Sequence, residues 1–220
     1  MIEEAFARLD TEWRSLSEDP RATLDRWDAA LERIAADEEA LRARGSWVHG
    51  REDAFGVLGI ERAELRHSAM IGWLLDPCGR HGFGPKILAA LLKHAFPSEA
   101  FDRLAVARVQ CEVARGDCRA DIVVTWPGGS LVIENKVDAE EGERQCDILF
   151  EQFSGARFIL LSPKGRPPVS AGGAASVAFQ NLSYGTIRAV LAGVLQGARC
   201  DSVARQLAAN YVVTLEKEFQ

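Results

Sequence analysis

Arg119-Ala120-Asp121-Ile122-Val123-Val124 and Leu131-Val132-Ile133-Glu134-Asn135-Lys136-Val137 are strand-like stretches that carry two carboxylates and a lysine within otherwise apolar sequence. An unpaired buried charge is expensive, so strands of Val, Ile and Leu do not carry charges without a reason. Between them, Thr125-Trp126-Pro127-Gly128-Gly129-Ser130 reads as a tight turn, with Gly-Gly able to take the positive φ angles of a type I′ or II′ hairpin. A symmetric closure sets Trp126 opposite Leu131, Asp121 opposite Lys136 and Val123 opposite Glu134. Because side chains alternate across a strand, Asp121, Glu134 and Lys136 then share one face, with the two carboxylates as diagonal neighbours roughly 7–8 Å apart along the backbone. Two oxygen donors and an ammonium on one face suit a divalent cation and a phosphate. The plainer alternative is an Asp121–Lys136 salt bridge on a solvated sheet face. Val123, Val132 and Val137 leave little polar face outside the trio for that.

Around this hairpin the chain alternates helical and strand-like patterns. A helix near 61–75, a Pro/Gly-rich loop over 76–85 and a helix at 85–95 precede strands near 105–113, 118–126 and 131–137. A helix at 140–154, a strand at 158–161, a Pro/Gly loop over 164–173, a short strand at 176–180 and helices at 183–195 and 201–218 follow. Helices flanking a short sheet give an α/β layered domain.

Asp121, twelve residues, and then Glu134-Asn135-Lys136 resembles the PD-(D/E)XK nuclease superfamily. Other segments fall in the expected order. Glu64-Leu-Arg-His67-Ser68-Ala-Met-Ile-Gly-Trp73-Leu-Leu-Asp76-Pro77 and His81-Gly82-Phe-Gly84 look like the leading helix and loop of an uncharacterised bacterial branch. Gln145 falls nine residues after Lys136 on an expected helix, and Leu182-Ser183-Tyr184 opens a later one. The resemblance spans roughly positions 60 to 215. It implies a restriction-endonuclease-like α/β/α core with a short mixed sheet, Mg²⁺ or Mn²⁺ as cofactor, and hydrolysis of phosphodiesters in nucleic acid, DNA above all, by a metal-activated water. It also brings a context of phage or mobile-element defence.

By the same resemblance, Asp121, Glu134, Lys136, Glu64 and Gln145 form the catalytic set. Asp121, Glu134, Glu64 and the main-chain carbonyl of Asn135 ligate the metal. Such a donor set matches the preference of Mg²⁺ for a few oxygen ligands and retained waters. Lys136 contacts the phosphate or positions the attacking water. For Glu64 the alternative is a solvated helix residue beside Arg66. For Gln145 the pattern is incomplete, because Cys146 stands where related sequences carry leucine. Three further residues are candidates for contact with substrate: Arg119, which shares the face of Asp121 and could instead neutralise the site without metal; His81 in the loop after Pro77, for which a helix cap or other structural role is the alternative; and Lys164 in the later Pro/Gly loop, otherwise a solvated basic residue.

The first 45 residues are helical by pattern. Asp19-Pro20 is a helix start, after which Leu24, Trp27, Leu31, Ile34 and Leu41 recur at steps of three and four, with Glu38 filling the gap. With Phe6, Leu9, Trp13 and Leu16 before it, this stretch is expected to form an N-terminal helical hairpin or extension over 1–50, ahead of the nuclease-like domain over 51–220. Its apolar stripe is expected on the protein's own core, the alternative being a homodimer or partner-protein interface. Residues 1–60 hold 14 acidic and 8 basic side chains, whereas residues 61–220 hold 18 of each. The acid excess therefore lies outside the catalytic part, and nucleic-acid binding is permitted without being favoured by charge. Five scattered cysteines with no C-x2-C pair argue for a reducing cytoplasm and against a zinc site. Neither a signal peptide nor a membrane span is expected. A second functional reading is a catalytically silent scaffold subunit that works with a partner protein.

Overall fold

The computed structural model describes residues 4, 6–9, 11, 13, 20–196 and 202–219. The chain divides into two compact units, Met1–Gly50 and Arg51–Gln220. In the first, helix α1 (Pro20–Ala43) carries basic Arg42 in its last turn, where it complements the helix dipole. Arg42 pairs with Glu38 at 2.7 Å and lies over the Trp47 ring. The side chains of Leu24, Trp27, Leu31 and Ile34 are exposed. Leu16 and Asp19, named in the sequence reading of this region, lie outside the described residues, as does the 197–201 approach to the last helix.

The second unit holds helices α2 (Ala54–Leu58), α3 (Glu64–Leu75), α4 (Lys86–Ala95), α5 (Gln145–Gln152), α6 (Gly173–Ala178), α7 (Tyr184–Leu195) and α8 (Val203–Glu218). Its strands are β1 (Arg108–Arg115), β2 (Cys118–Trp126), β3 (Gly129–Asn135), β4 (Arg157–Ser162) and β5 (Phe179–Ser183). They form one mixed sheet in the order β1-β2-β3-β4-β5, antiparallel from β1 to β3 and parallel from β3 to β5. The parallel steps need crossovers, which α5 and α6 supply. Alternation in β3 and β4 sends Leu131, Ile133, Ile159 and Leu161 to the core shared with α3, α4, α7 and α8. Val132, Phe158 and Leu160 go to the opposite core with Cys146 and Leu149 of α5. These are the two packed layers of an α/β/α domain. Among the described residues no helix is long and apolar enough to cross a membrane.

Two expectations are corrected. Ser176–Ala178 ends helix α6, and the fifth strand begins only at Phe179. A short apolar run does not distinguish a helix turn from a strand. The hairpin register also differs: Trp126 pairs with Gly129, Val123 with Val132 and Ile122 with Ile133. Proline locks its φ near −65°, so Pro127 cannot enter a primed turn, and the positive φ falls at Gly129 instead. The loop therefore closes over Pro127 and Gly128. One step beyond the last pair, Asp121 lies across from Glu134 rather than Lys136. The shift is two residues, so every side chain keeps its face; a one-residue slip would have inverted the hairpin.

Candidate active site

Strands β2 and β3 deliver Asp121 and Glu134 to the face that carries α5, while the first turn of α3 brings Glu64 to the end of β3. Asp121 Oδ2 accepts the Asn135 N–H at 2.7 Å. Glu134 is 1% exposed. Its Oε1 accepts from Lys136 Nζ at 3.0 Å and from Gln145 Nε2 at 2.5 Å, and its buried Oε2 has no partner among the described residues. Lys136 Nζ also stands 3.7 Å from Glu64 Oε1, and Glu64 Oε2 accepts the Val137 N–H at 2.9 Å. All five expected catalytic side chains thus meet at one place. They line an open cleft of ≈ 630 Å³ that Arg119 also borders. The Asp121–Lys136 bridge weighed for a solvated face does not form; Lys136 pairs with Glu134 and Glu64.

A buried network beneath the cleft sets this arrangement. The Asn135 amide is fully buried: its Nδ2 donates to Glu64 O at 3.1 Å and to Ser68 Oγ at 3.0 Å, and its Oδ1 accepts from Tyr184 OH at 2.6 Å. Tyr184 stacks on Phe219 at 4.0 Å. One turn of α3 from Glu64, His67 Nε2 meets Glu61 O at 2.9 Å, and its Nδ1 meets Tyr211 OH at 2.7 Å. Asn135 thus ties the end of β3 to the first turn of α3, which holds Glu64 against Val137.

Burial, the Asn135 N–H and the charges of Lys136, Glu64 and Glu112 act on Asp121, with burial dominant, and raise it to about 6. Burial and then the Asp121 charge, against Lys136, lift Glu134 to about 8. Burial pulls the Lys136 ammonium down, but the Glu134 charge and hydrogen bond outweigh it and hold the group above its ordinary value. In the 138–144 loop, burial alone would raise Glu141. Its donors Ser170, Arg166 and Val169 win and hold it at about 2.

These shifts have opposite consequences for stability. A carboxyl whose folded pKa is raised keeps its proton longer in the folded state, so stability falls as pH climbs from the ordinary to the folded value. That window is 4.5 to about 8 for Glu134 and 3.8 to about 6 for Asp121. Glu141 contributes stability that is complete above 4.5 and lost as pH falls toward 2, about 3 kcal/mol in all. Urea unfolding in EDTA should therefore show a maximum near pH 4 and a decline toward pH 8.5. Mn²⁺ should reverse the alkaline decline, and Glu134→Gln should flatten it. An unchanged midpoint from pH 5 to 8.5 would contradict the assignment.

The remaining expected residues divide. Arg119, largely exposed, lies at the cleft and is paired with Glu112 Oε2 at 2.9 Å. Lys164 is exposed on the loop after β4. Of the two roles weighed for His81 the geometry favours the structural one over substrate contact: it is fully buried, its Nε2 meets Trp73 O and Asp76 O at 3.1 Å, and its Nδ1 accepts the Phe83 N–H, so it folds its loop. Sequence reasoning missed Glu112, Glu141 and the role of Tyr184 beneath the site. Glu112, next to the Asp121 position across β1–β2, carried no pattern signal. Tyr184 was visible only as part of a helix opening, where Ser183 is the cap that accepts from Thr186 N at 3.1 Å.

A mixed sheet between helix layers, with an aspartate and a Glu-x-Lys run converging at the end of its central hairpin, defines a restriction-endonuclease-like nuclease fold. A family model described as PD-(D/E)XK nuclease superfamily matches residues 52–213, and the chain belongs to that superfamily. Its members are usually nucleases and generally use divalent metals. No curated protein and no solved structure matches the chain.

Proposed function

We propose that this protein is a Mg²⁺- or Mn²⁺-dependent phosphodiester hydrolase that acts on nucleic acid, with DNA as its substrate. The observation that carries this reading is the half-buried Asp121 and the buried Glu134 beside Lys136, with Glu134 Oε2 lacking any partner among the described residues. Asp121, raised by burial and by the charges of Glu64 and Glu112, and Glu134, raised by burial and by the Asp121 charge, are incompletely compensated by one lysine, and a cation relieves both. Among the described residues no three His, Cys, Asp or Glu groups form a ready cation cage. The donors are therefore Asp121, Glu134 and the Asn135 carbonyl, while Glu64 is engaged by Val137 and Lys136. When bound, the ion supplies Lewis acidity and a water of lowered pKa.

The chain's own groups do the rest. Lys136, a compact ammonium, is placed to neutralise a phosphate oxygen at the cleft floor. Gln145 restrains Glu134 by its hydrogen bond to Oε1. Arg119 and Lys164 are the candidate contacts to flanking phosphates.

Purified protein should nick supercoiled plasmid in Mn²⁺ or Mg²⁺ and lose that activity in excess EDTA, with a matched RNA run in parallel. Calorimetry should show Mn²⁺ binding that Asp121→Asn removes. Folded protein that neither binds Mn²⁺ nor cleaves would favour the scaffold reading and reject this one.

A further inference from the structure

The Gln145 amide is held at both ends. Its Oε1 accepts the Gly142 N–H at 3.0 Å, and its Nε2 donates to Glu134 Oε1 at 2.5 Å. Flipped, the amide would set NH₂ against N–H and oxygen against carboxylate, so the Gly142 N–H selects the orientation that grips Glu134. What places Gly142 is its neighbour. The Glu141 side chain is completely buried and gathers donors from a loop 25–29 residues downstream. It pairs with Arg166 Nη1. It accepts from Val169 N at 3.1 Å, from Ser170 N at 2.9 Å and from Ser170 Oγ at 2.5 Å. Ser170 Oγ in turn accepts the Cys146 N–H at 3.0 Å, which binds the same loop to the first turn of α5. Arg166 N donates to Ser162 Oγ, so the loop is anchored to the end of β4. A buried carboxylate with this many donors rigidifies whatever it joins.

We propose that Glu141 is a positioning residue that acts through Gln145. Its latch on the 166–170 loop fixes the turn from Glu141 to Gln145, and Gly142 thereby presets the amide that restrains Glu134 and leaves Oε2 as the open oxygen. Nothing in the D-x12-E-x-K pattern contains Glu141. The catalytic consequence rests on the hydrolase reading above; the geometry of the latch does not.

Glu141→Ala, Glu141→Gln, Gln145→Ala and the double variant Glu141→Ala/Gln145→Ala separate this from a merely structural role. In plasmid nicking, Glu141→Ala should lower kcat about tenfold, as small misplacements do, with KM nearly unchanged. Glu141→Gln should match it, because its amide donates where donors already converge. The double variant should be no slower than Gln145→Ala, because the two act along one path. In ¹⁵N-labelled full-length protein, the Gln145 side-chain amide pair, assigned by its absence in Gln145→Ala, should be protected from solvent exchange in wild type and broadened in Glu141→Ala. Multiplying losses in the double variant, or an unaltered amide signal in Glu141→Ala, would overturn the proposal. If Glu141→Ala fails to fold, Ser170→Ala removes one donor and the Cys146 acceptor more gently and gives the same two readouts. A wild type that cleaves nothing would sink the hydrolase reading, while the amide signal still decides the latch.

Discussion

Lys136→Met and Asp121→Asn should each reduce Mn²⁺-dependent cleavage by about a hundredfold to a thousandfold, the scale of losing one electrostatic contact to a reacting centre, while the protein stays folded. Asp121→Asn retains an amide oxygen for the Asn135 N–H that Oδ2 now accepts at 2.7 Å, so the strand ends stay joined and only the charge is lost. Lys136→Met keeps an apolar stem of similar length in a site that is 7% exposed. It strands no buried anion at neutral pH, because Glu134 is raised to about 8 and is already mostly protonated there. Circular dichroism and melting curves beside nicking rates check both halves of the expectation. A folded Lys136→Met protein that cleaves at the wild-type rate would remove this lysine from the chemistry.

Asn135→Ala should cost about 3–4 kcal/mol of stability. The change removes three buried hydrogen bonds at about 1 kcal/mol each and strands the Tyr184 OH, while Ser68 Oγ and the Glu64 carbonyl keep their bond to each other at 3.1 Å. For a unit of this size that corresponds to a melting temperature lower by about 10 °C. Tyr184→Phe removes one bond of the same network and should cost about 1 kcal/mol. Because the two residues share one hydrogen bond, the double variant should lose less than the sum. Urea unfolding followed by far-UV circular dichroism measures all three. An Asn135→Ala protein as stable as wild type would show that the network does not hold the end of β3 to α3.

Much of this site is legible in one dimension. Charges interrupting Val/Ile/Leu strands identified Asp121, Glu134 and Lys136, because period-two alternation and the cost of buried charge are local rules. The helix carrying Gln145 was readable from its pattern, and the helix opening at Leu182-Ser183-Tyr184 came from the family resemblance. The register was not, since the choice between two and four loop residues depends on whether Pro127 or a glycine takes the first turn position. His81 stayed between two roles because an imidazole in a loop after a helix looks alike whether its nitrogens meet backbone carbonyls or solvent.

The chain's own pattern of apolar alternation, turn residues and misplaced charges determined the α/β class, the hairpin and the identity of the three central groups. Only the tertiary structure decided what surrounds them. Asn135 meets Glu64 across 71 positions, and Glu141 draws its donors from 25–29 residues away. Periodicity carries no information about which distant polar atoms meet. The requirement that every buried donor and acceptor find a partner is met only once helices and loops have packed on both faces of the sheet.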